Sequence, residues 1–509
     1  MSIIYKYDNV CYNEDSDSCL ILNKNKDAIL KLVNDYNDTI NSFVSYIGNY
    51  ERGGGGRFED NTMNNFINYQ LGYNFYDVLN QKIRNTITTG LRRNFILNPE
   101  NGIYELERKN KMPNNPLIKT KYSLIKSNFF GTGNLSVSIL LEFSFLKNIN
   151  NEVHIINSIT KIYPLTIGNS IDYFNFFMKT GSLNSILKRK FDSILEFVFY
   201  KEALIGCWVQ LHIIKKKISG TFACTIDAYI SKQLPINQND LEKLRMKGKI
   251  DGKDIIKKRW VKQNIDDWKN TFEENNKKGN PDFGIIEMEK IDFELSNFVT
   301  TSSFSLGFLF EVYYSKLCLA FIGNVYPTDD HYNNIMVKYT NKIRKYRIKR
   351  RDTYYNFYIN NNYIIKYIDM ERYEKVINRN IYTNVLSDGD RFYSNSIQYL
   401  TSSKFSNIIE GEISKIMLSE LKYNWNYSVD KFCEFMHRIL PNEYIDDDLY
   451  INNPNVDEFY LDLDVETPDI FLNPIDQPQL QTNKLIQPYK LIKQGQFGGK
   501  RKIFTLKSH

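Results

Sequence analysis

Hydrophobic and polar residues alternate over Asn134–Leu146, where Leu135, Val137, Ile139, Leu141, Phe143 and Phe145 fall on every second position. Ser136, Ser138, Glu142 and Ser144 fill most of the places between. A period of two over a dozen residues predicts a strand with one buried face. The Asn-rich segment Lys147–Glu152 turns the chain into a second such run near Val153–Ile162. A second hairpin is expected from Ala203–Lys215, with Ile205, Cys207, Val209, Leu211 and Ile213 on one face, and Ser219–Ile230, with Phe222, Cys224, Ile226, Ala228 and Ile230. Between the hairpins, Ile171–Phe177 and Leu183–Phe199 read as helices. Together these elements predict an antiparallel sheet with helices packed on one face.

Elsewhere the period lengthens. Asp27–Ile47 and Asn61–Leu91 carry helical patterns on either side of the four-glycine connector Gly53–Gly56. Residues 92–133 read as loop-rich, punctuated by Pro99, Pro113, Pro116, Gly131 and Gly133. Phe304–Gly323 is the most apolar window, but it contains Glu311 and Lys316 and so predicts a buried core helix, not a membrane span. A helix is expected from the Thr328 cap to Arg351, with Ile335, Tyr339, Ile343 and Tyr346 along one stripe, and another over Lys404–Leu421. The predicted fold class is α+β, a central antiparallel sheet of two hairpins with intervening helices, flanked by N-terminal and C-terminal helical regions. The expected organisation is a helical region with its Gly-rich connector (1–115), the sheet core (116–235), a charged helical insertion (236–300), a helical domain (301–440) and an acidic-then-basic, partly disordered tail (441–509).

Composition narrows the class. At 509 residues the chain is too long for one simple core, and its 42% hydrophobic and 25% charged fractions are those of a globular protein with no membrane partner. Only five alanines occur, while Asn, Ile, Lys, Tyr and Phe, all read from AT-rich codons, abound. In this respect the chain is similar to proteins of AT-rich large DNA viruses that replicate in cytoplasm. That similarity implies a cytoplasmic protein, of the viral factory or the virion. The N-terminus has no signal-peptide pattern. The six cysteines show neither a disulfide nor a zinc rhythm, which fits a reducing compartment.

Charge is strongly segregated. The formal net charge is +7, yet Lys338, Lys342, Arg344, Lys345, Arg347, Lys349, Arg350 and Arg351 crowd into fourteen residues without an acid. Leu241–Lys262 adds nine bases against three acids. Between Arg438 and Lys484 stand eleven acids and no base. Bases on a helix with one apolar stripe suit a phosphate backbone, since each neutralised phosphate releases counterions. Tyr339, Tyr346, Tyr354 and Tyr355 could add stacking on unpaired bases. Two structural readings stand beside this one. The bases could complement the helix dipole and stay solvated, or the acidic segment 443–476 could dock on the basic helix and mask it.

Several short motifs carry chemistry elsewhere. Lys249-Ile250-Asp251-Gly252 resembles the KxDG element of covalent nucleotidyltransferases, and Glu410–Lys415 their later EGxxxK element. That resemblance implies strand-borne motifs, whereas Glu410–Lys415 falls inside a helical pattern. Asp462 and Asp464 have the alternation used to hold two metal ions, with only 45 residues following. Cys433 and His437 share a helical face without a third ligand. Glu142, His154, His212 and Asp227 could meet on the less apolar face of the sheet. Gly498-Gly499-Lys500 looks like the sites cut by maturation proteases of some large DNA viruses.

The leading expectation is a non-catalytic nucleic-acid-binding or assembly protein contacting RNA or DNA phosphates through the basic helix, with protein partners or self-association as additions. The alternatives are a divergent nucleotidyltransferase- or nuclease-like enzyme, and a protein-only scaffold or virion component. No catalytic residue, metal or cofactor is assigned.

Overall fold

The computed structural model describes residues 15–31, 78–111, 117–132, 139–149, 152–165, 195–232, 234–235, 249–250, 253–254, 282–291, 293–295, 306–323, 325–327, 334–350, 352–370, 373–375 and 453–465, with isolated positions at 433, 437 and 445. It is mostly β. The main sheet runs in the order β1 (Asp15–Ser16), β3 (Tyr104–Lys111), β4 (Leu117–Thr132), β5 (Ile139–Ile149), β6 (Glu152–Leu165), β10 (Asp282–Glu289) and β7 (Thr225–Ser231). β2 (Phe95–Leu97) pairs with β3 off this path, and every pairing is antiparallel.

The seven strands curl into a half-barrel whose ends approach each other. Ser16 on β1 donates to Asp227 on β7 at 2.5 Å, and the Arg93 N–H donates to the Ile230 carbonyl at 2.8 Å. The concave side is filled by Leu106, Tyr122, Phe143, Phe145, Tyr229 and Ile285. Helices α1 (Asp17–Lys24), α2 (Val78–Leu91) and α3 (Leu195–Val209) contribute to a second, larger core. At Gly284 on β10 the fit is close: an added Cβ would lie 2.6 Å from the Phe199 ring of α3.

This architecture overturns the expected central sheet flanked by helical regions. Three elements account for most of the difference. First, Ala203–Lys215 is helical, the end of α3 continued by a π-turn at Gln210–Ile214. Leu204, Gly206 and Trp208 stand between the alternating apolar residues and are buried too, so the run carries no exclusive period. Second, 92–133 holds β2, β3 and β4 rather than loops. Their outward residues are charged, and cross-strand pairs such as Lys121–Glu105 at 3.0 Å satisfy them. Third, the expected sheet core of 116–235 takes strands from 15–16, 95–97, 104–111 and 282–289.

The helix expected up to Arg351 is also strand. β13 (Ile335–Tyr339) and β14 (Ile343–Arg350) flank a turn at 340–342. The stripe of Ile335, Tyr339, Ile343 and Tyr346 fits a helix, but Ile335, Val337 and then Arg344, Tyr346 and Ile348 alternate equally well. β-branched and aromatic residues decide for strand. β14 lies between β15 (Thr353–Ile359), antiparallel, and β18 (Val456–Asp462), parallel. β11 (Phe293–Glu294), β13 and β16 (Tyr363–Tyr367) form another small sheet. Two-stranded pairs join β12 (Val325–Pro327) to β17 (Tyr373–Lys375) and β8 (Lys249–Ile250) to β9 (Lys253–Asp254).

The buried helix read from Phe304–Gly323 is present as α4 (Leu306–Cys318) with a π-turn at Leu319–Gly323. Among the described residues no helix is long and apolar enough to cross a membrane. Cys19 on α1 is disulfide-bonded to Cys207 on α3 across 188 residues of sequence, and Cys224 is disulfide-bonded as well. The expectation of reduced thiols is therefore corrected: spacing along the chain gives no sign of two helices that pack together. The helix over Lys404–Leu421, the connector Gly53–Gly56, the helices before residue 195, Glu410–Lys415 and Gly498–Lys500 lie outside the described residues.

Candidate nucleic-acid interface

Of the eight bases singled out in the sequence, Arg344, Lys345, Arg347, Lys349 and Arg350 sit on β14 of a two-faced sheet, not on a helix. Along β14, Arg344, Tyr346 and Ile348 face inward. Phe357 and Phe459 flank Tyr346 there, and Tyr355 and Leu461 flank Ile348. Tyr346, Ile348, Phe357, Phe459 and Leu461 are buried, and the Tyr346 and Phe459 rings stack 5.2 Å apart. The outer face carries three rows across β15, β14 and β18: Tyr358–Lys345–Glu458, Asn356–Arg347–Tyr460 and Tyr354–Lys349–Asp462. β18 also answers one of the three readings of the charge pattern, because part of the acidic segment does lie along the basic one.

Most of the bases are engaged inside the protein. Lys338 on β13 meets the Glu289 carboxylate at 2.9 Å, and Lys366 meets the same carboxylate at 2.9 Å. Burial pushes the Glu289 carboxyl up, but Lys366 and Lys338 outweigh it and hold the group down at about 2. Lys342 pairs with Asp457 at 3.0 Å. Arg344 is buried, donating to Glu311 at 2.6 Å, to the carbonyls of Lys342, Asn361 and Tyr363, and to the Asn361 side chain. It is a core residue, so the phosphate role expected of it is withdrawn.

Lys349 meets Asp462 at 3.1 Å and Asp464 at 3.8 Å. Burial raises the Asp462 carboxyl, but the Asp464 N–H, Lys349 and the Tyr460 hydroxyl together hold it below its ordinary value. These two carboxylates therefore serve a lysine, and among the described residues no third acid joins them. Lys345 lies 5.3 Å from the Tyr358 ring centre. Arg350 ends β14 opposite Thr353, and Arg351 lies outside the described residues.

Arg347 differs from the rest. Its guanidinium carbon lies 4.3 Å from the centre of the Tyr354 ring and 6.0 Å from that of Tyr460. Among the described residues it has no carboxylate partner, and its Nε is buried without a hydrogen bond. Tyr354 and Tyr460 are 47% and 39% exposed, so this face shows water two phenol rings with a cation between them. Such an arrangement can stack unpaired bases and meet a phosphate at one point. Tyr354 was legible in the sequence. Tyr460 was hidden among acids.

The other candidates do not assemble. Glu142 pairs with Lys290 at 2.7 Å, whereas Asp227 lies within the half-barrel. His212 is on the π-turn rather than the sheet, against Trp208 at 5.3 Å. Burial first, then the charges of Lys216 and Lys26, push its pKa down to about 4. The His154 side chain lies outside the described set. Lys249 and Ile250 lie on a two-stranded hairpin, and the remainder of the second basic segment is largely outside the described residues. Among the described residues no group of three or more His, Cys, Asp or Glu is placed to hold a metal ion.

One cluster escaped the sequence reading altogether. Inside the half-barrel, the Arg108 guanidinium lies 4.5 Å from the Tyr122 ring centre and 4.7 Å from that of Phe145, and it pairs with Glu287 and Asp227. The Tyr229 hydroxyl donates to Glu287 at 2.6 Å. Burial alone would lower the Arg108 pKa, but the two carboxylates raise it, so the guanidinium stays charged. Burial lifts the Glu287 carboxyl above its usual value in spite of Arg108. Every member is almost wholly enclosed, and the cluster ties β3 to β10 and β7 across the barrel.

No protein-family model and no curated protein sequence matches this chain.

Proposed function

We propose that this chain binds single-stranded RNA or DNA, without catalysis, through the outer face of the β15–β14–β18 sheet. The observation that carries the reading is Arg347, a cation with no described anionic partner, held between two exposed tyrosines. Its enclosed counterpart Arg108 has two carboxylates, so an anion from outside is the natural complement. Lys345, Lys349 and Arg350 flank the point of contact. Tyrosine faces need unpaired bases, because in a duplex those faces are stacked away.

The test is a salt titration of binding to labelled single-stranded and duplex oligonucleotides, with Arg347→Gln and Tyr354→Ala beside the native chain. Single strands should bind more tightly, with log affinity falling linearly against log salt. Arg347→Gln should make that slope shallower by about 0.7, the value for one phosphate on a single strand. An unchanged slope in Arg347→Gln, or no salt-dependent binding by the native chain, overturns the reading.

The nucleotidyltransferase- or nuclease-like alternative has no matching observation among the described residues, since Asp462 and Asp464 both serve Lys349. A role in assembly, with protein partners or self-association, is compatible with the same face acting on a genome or transcript. Composition supports an origin in an AT-rich large DNA virus and a site of action in the cytoplasm, the viral factory or the virion. The Cys19–Cys207 disulfide favours the virion among these, because cytosolic thiols are kept reduced.

A further inference from the structure

The free edge of β18 does not face open solvent. The Tyr460 N–H donates to the Lys217 carbonyl at 2.9 Å, so the turn that follows the π-turn meets the outer edge of β18 at this residue. Tyr460 is itself opposite Arg347. Two strand spacings therefore separate the backbones of Arg347 and Lys217, about 10 Å in all. The segment is firmly held. An added Cβ at Gly220 would lie 2.7 Å from the Phe459 ring, and the Tyr314 hydroxyl donates to the Ile218 carbonyl at 2.6 Å.

Three bases in a row, Lys215, Lys216 and Lys217, occupy this position with no acid among them. Lys216 and Lys217 are exposed, and no described carboxylate pairs with either. Lys217 has a φ of +53°, in the left-handed region where glycine is free and a lysine is strained. A long cationic side chain placed there, beside an exposed Tyr460, points outward from packing towards contact with something else. The acids facing the same surface are Glu458, across from Lys345, and Asp462 and Asp464, both met by Lys349. A path that crosses β18 at Tyr460 passes between them.

We infer that the nucleic-acid track continues across the edge of β18 onto Lys216 and Lys217, which engage phosphates flanking the bases stacked on Tyr354 and Tyr460. This rests on the nucleic-acid reading of the sheet face and extends its footprint from one phosphate to at least three. The track runs from β15 over Arg347 and Tyr460 to the turn that closes α3.

The experiment is a salt titration with single-stranded oligonucleotides of increasing length, using the full chain. Lys216→Gln combined with Lys217→Asn is the test variant, since Asn tolerates the left-handed conformation. Lys119→Gln with Lys121→Gln removes the same charge from β4 on the barrel. The test pair should weaken binding to longer oligonucleotides several-fold and make the salt slope shallower by about 1.4, while very short oligonucleotides lose less. The β4 pair should leave the slope as in the native chain. Unchanged slope in the test pair, with Arg347→Gln still flattening it, overturns the extension and leaves the sheet-face reading standing. Equal flattening by both pairs also overturns it, because the effect is then one of net charge. Failure of the native chain to bind removes both.

Discussion

Arg108 and Arg347 are the same device in two settings. Each guanidinium lies over aromatic rings, at 4.5 and 4.7 Å in the first case and 4.3 and 6.0 Å in the second. In the half-barrel the rings belong to a dry core and the charge is met by Glu287 and Asp227. On the sheet face the rings are exposed and, among the described residues, no carboxylate pairs with Arg347. A buried cation needs its counter-charge built in, whereas a cation at the surface is solvated until an anion arrives. Aromatic stacking thus marks neither structure nor function by itself. What separates the two arginines is where the balancing charge comes from.

The comparison breaks most sharply at Arg108. Replacing it with Met strands Glu287 and Asp227 in the core and should cost about 3–5 kcal/mol in denaturant unfolding. Adding Glu287→Gln to that variant should recover part of the loss, and full additivity of the two changes would show that they do not form one network. The disulfide comes next. Cys207→Ala, or reductant added to the native chain, should lower stability by about 2–5 kcal/mol. A midpoint indifferent to reductant, with Cys19 titrating as a thiol, would count against the Cys19–Cys207 bond.

Glu289 supplies the pH dependence. Its folded pKa, about 2, lies below the ordinary value of 4.5, so its contribution is fully present above about pH 4.5 and is lost as pH falls towards 2. That contribution is on the order of 3 kcal/mol. The stability gap between the native chain and Glu289→Gln should therefore narrow through that window, and a gap constant from pH 6 to pH 2 would contradict the Lys338–Glu289–Lys366 arrangement.

The sheet face should behave oppositely. Arg347→Gln should change folding stability by less than about 0.5 kcal/mol, as a surface substitution does. Tyr354→Ala should weaken single-strand binding by about 1–3 kcal/mol. A destabilisation by Arg347→Gln rivalling that of Arg108→Met would erase the distinction between the two sites.

The sequence was informative where alternation had one clean face. β5, β6 and β7 overlap the strands expected from Asn134–Leu146, Val153–Ile162 and Ser219–Ile230, because their polar and apolar positions do not compete for the same period. It misled where both periods fitted. Trp208 and Leu204 gave α3 a continuous apolar run, and Tyr339 and Ile343 lent β13 and β14 a helical stripe across their turn. Charge clustering did locate the region of the candidate site. It did not distinguish Arg344, enclosed against Glu311, from Arg347, three residues on and oppositely directed. Asp457 and Asp462, at the two ends of β18, reach Lys342 and Lys349 through parallel pairing, and no local pattern announces a parallel strand from so far along the chain.

That parallel strand has a consequence for how the protein is made. Lys342 waits for a partner 115 residues downstream, at Asp457. During synthesis the β14–β15 hairpin must remain with one edge open, its Tyr346 ring without the stacked Phe459, until Val456–Asp462 has emerged. An unpaired edge is a template for pairing with another chain. Chains stopped before that point, by truncation or by stalling on the ribosome, should aggregate rather than expose a better binding surface.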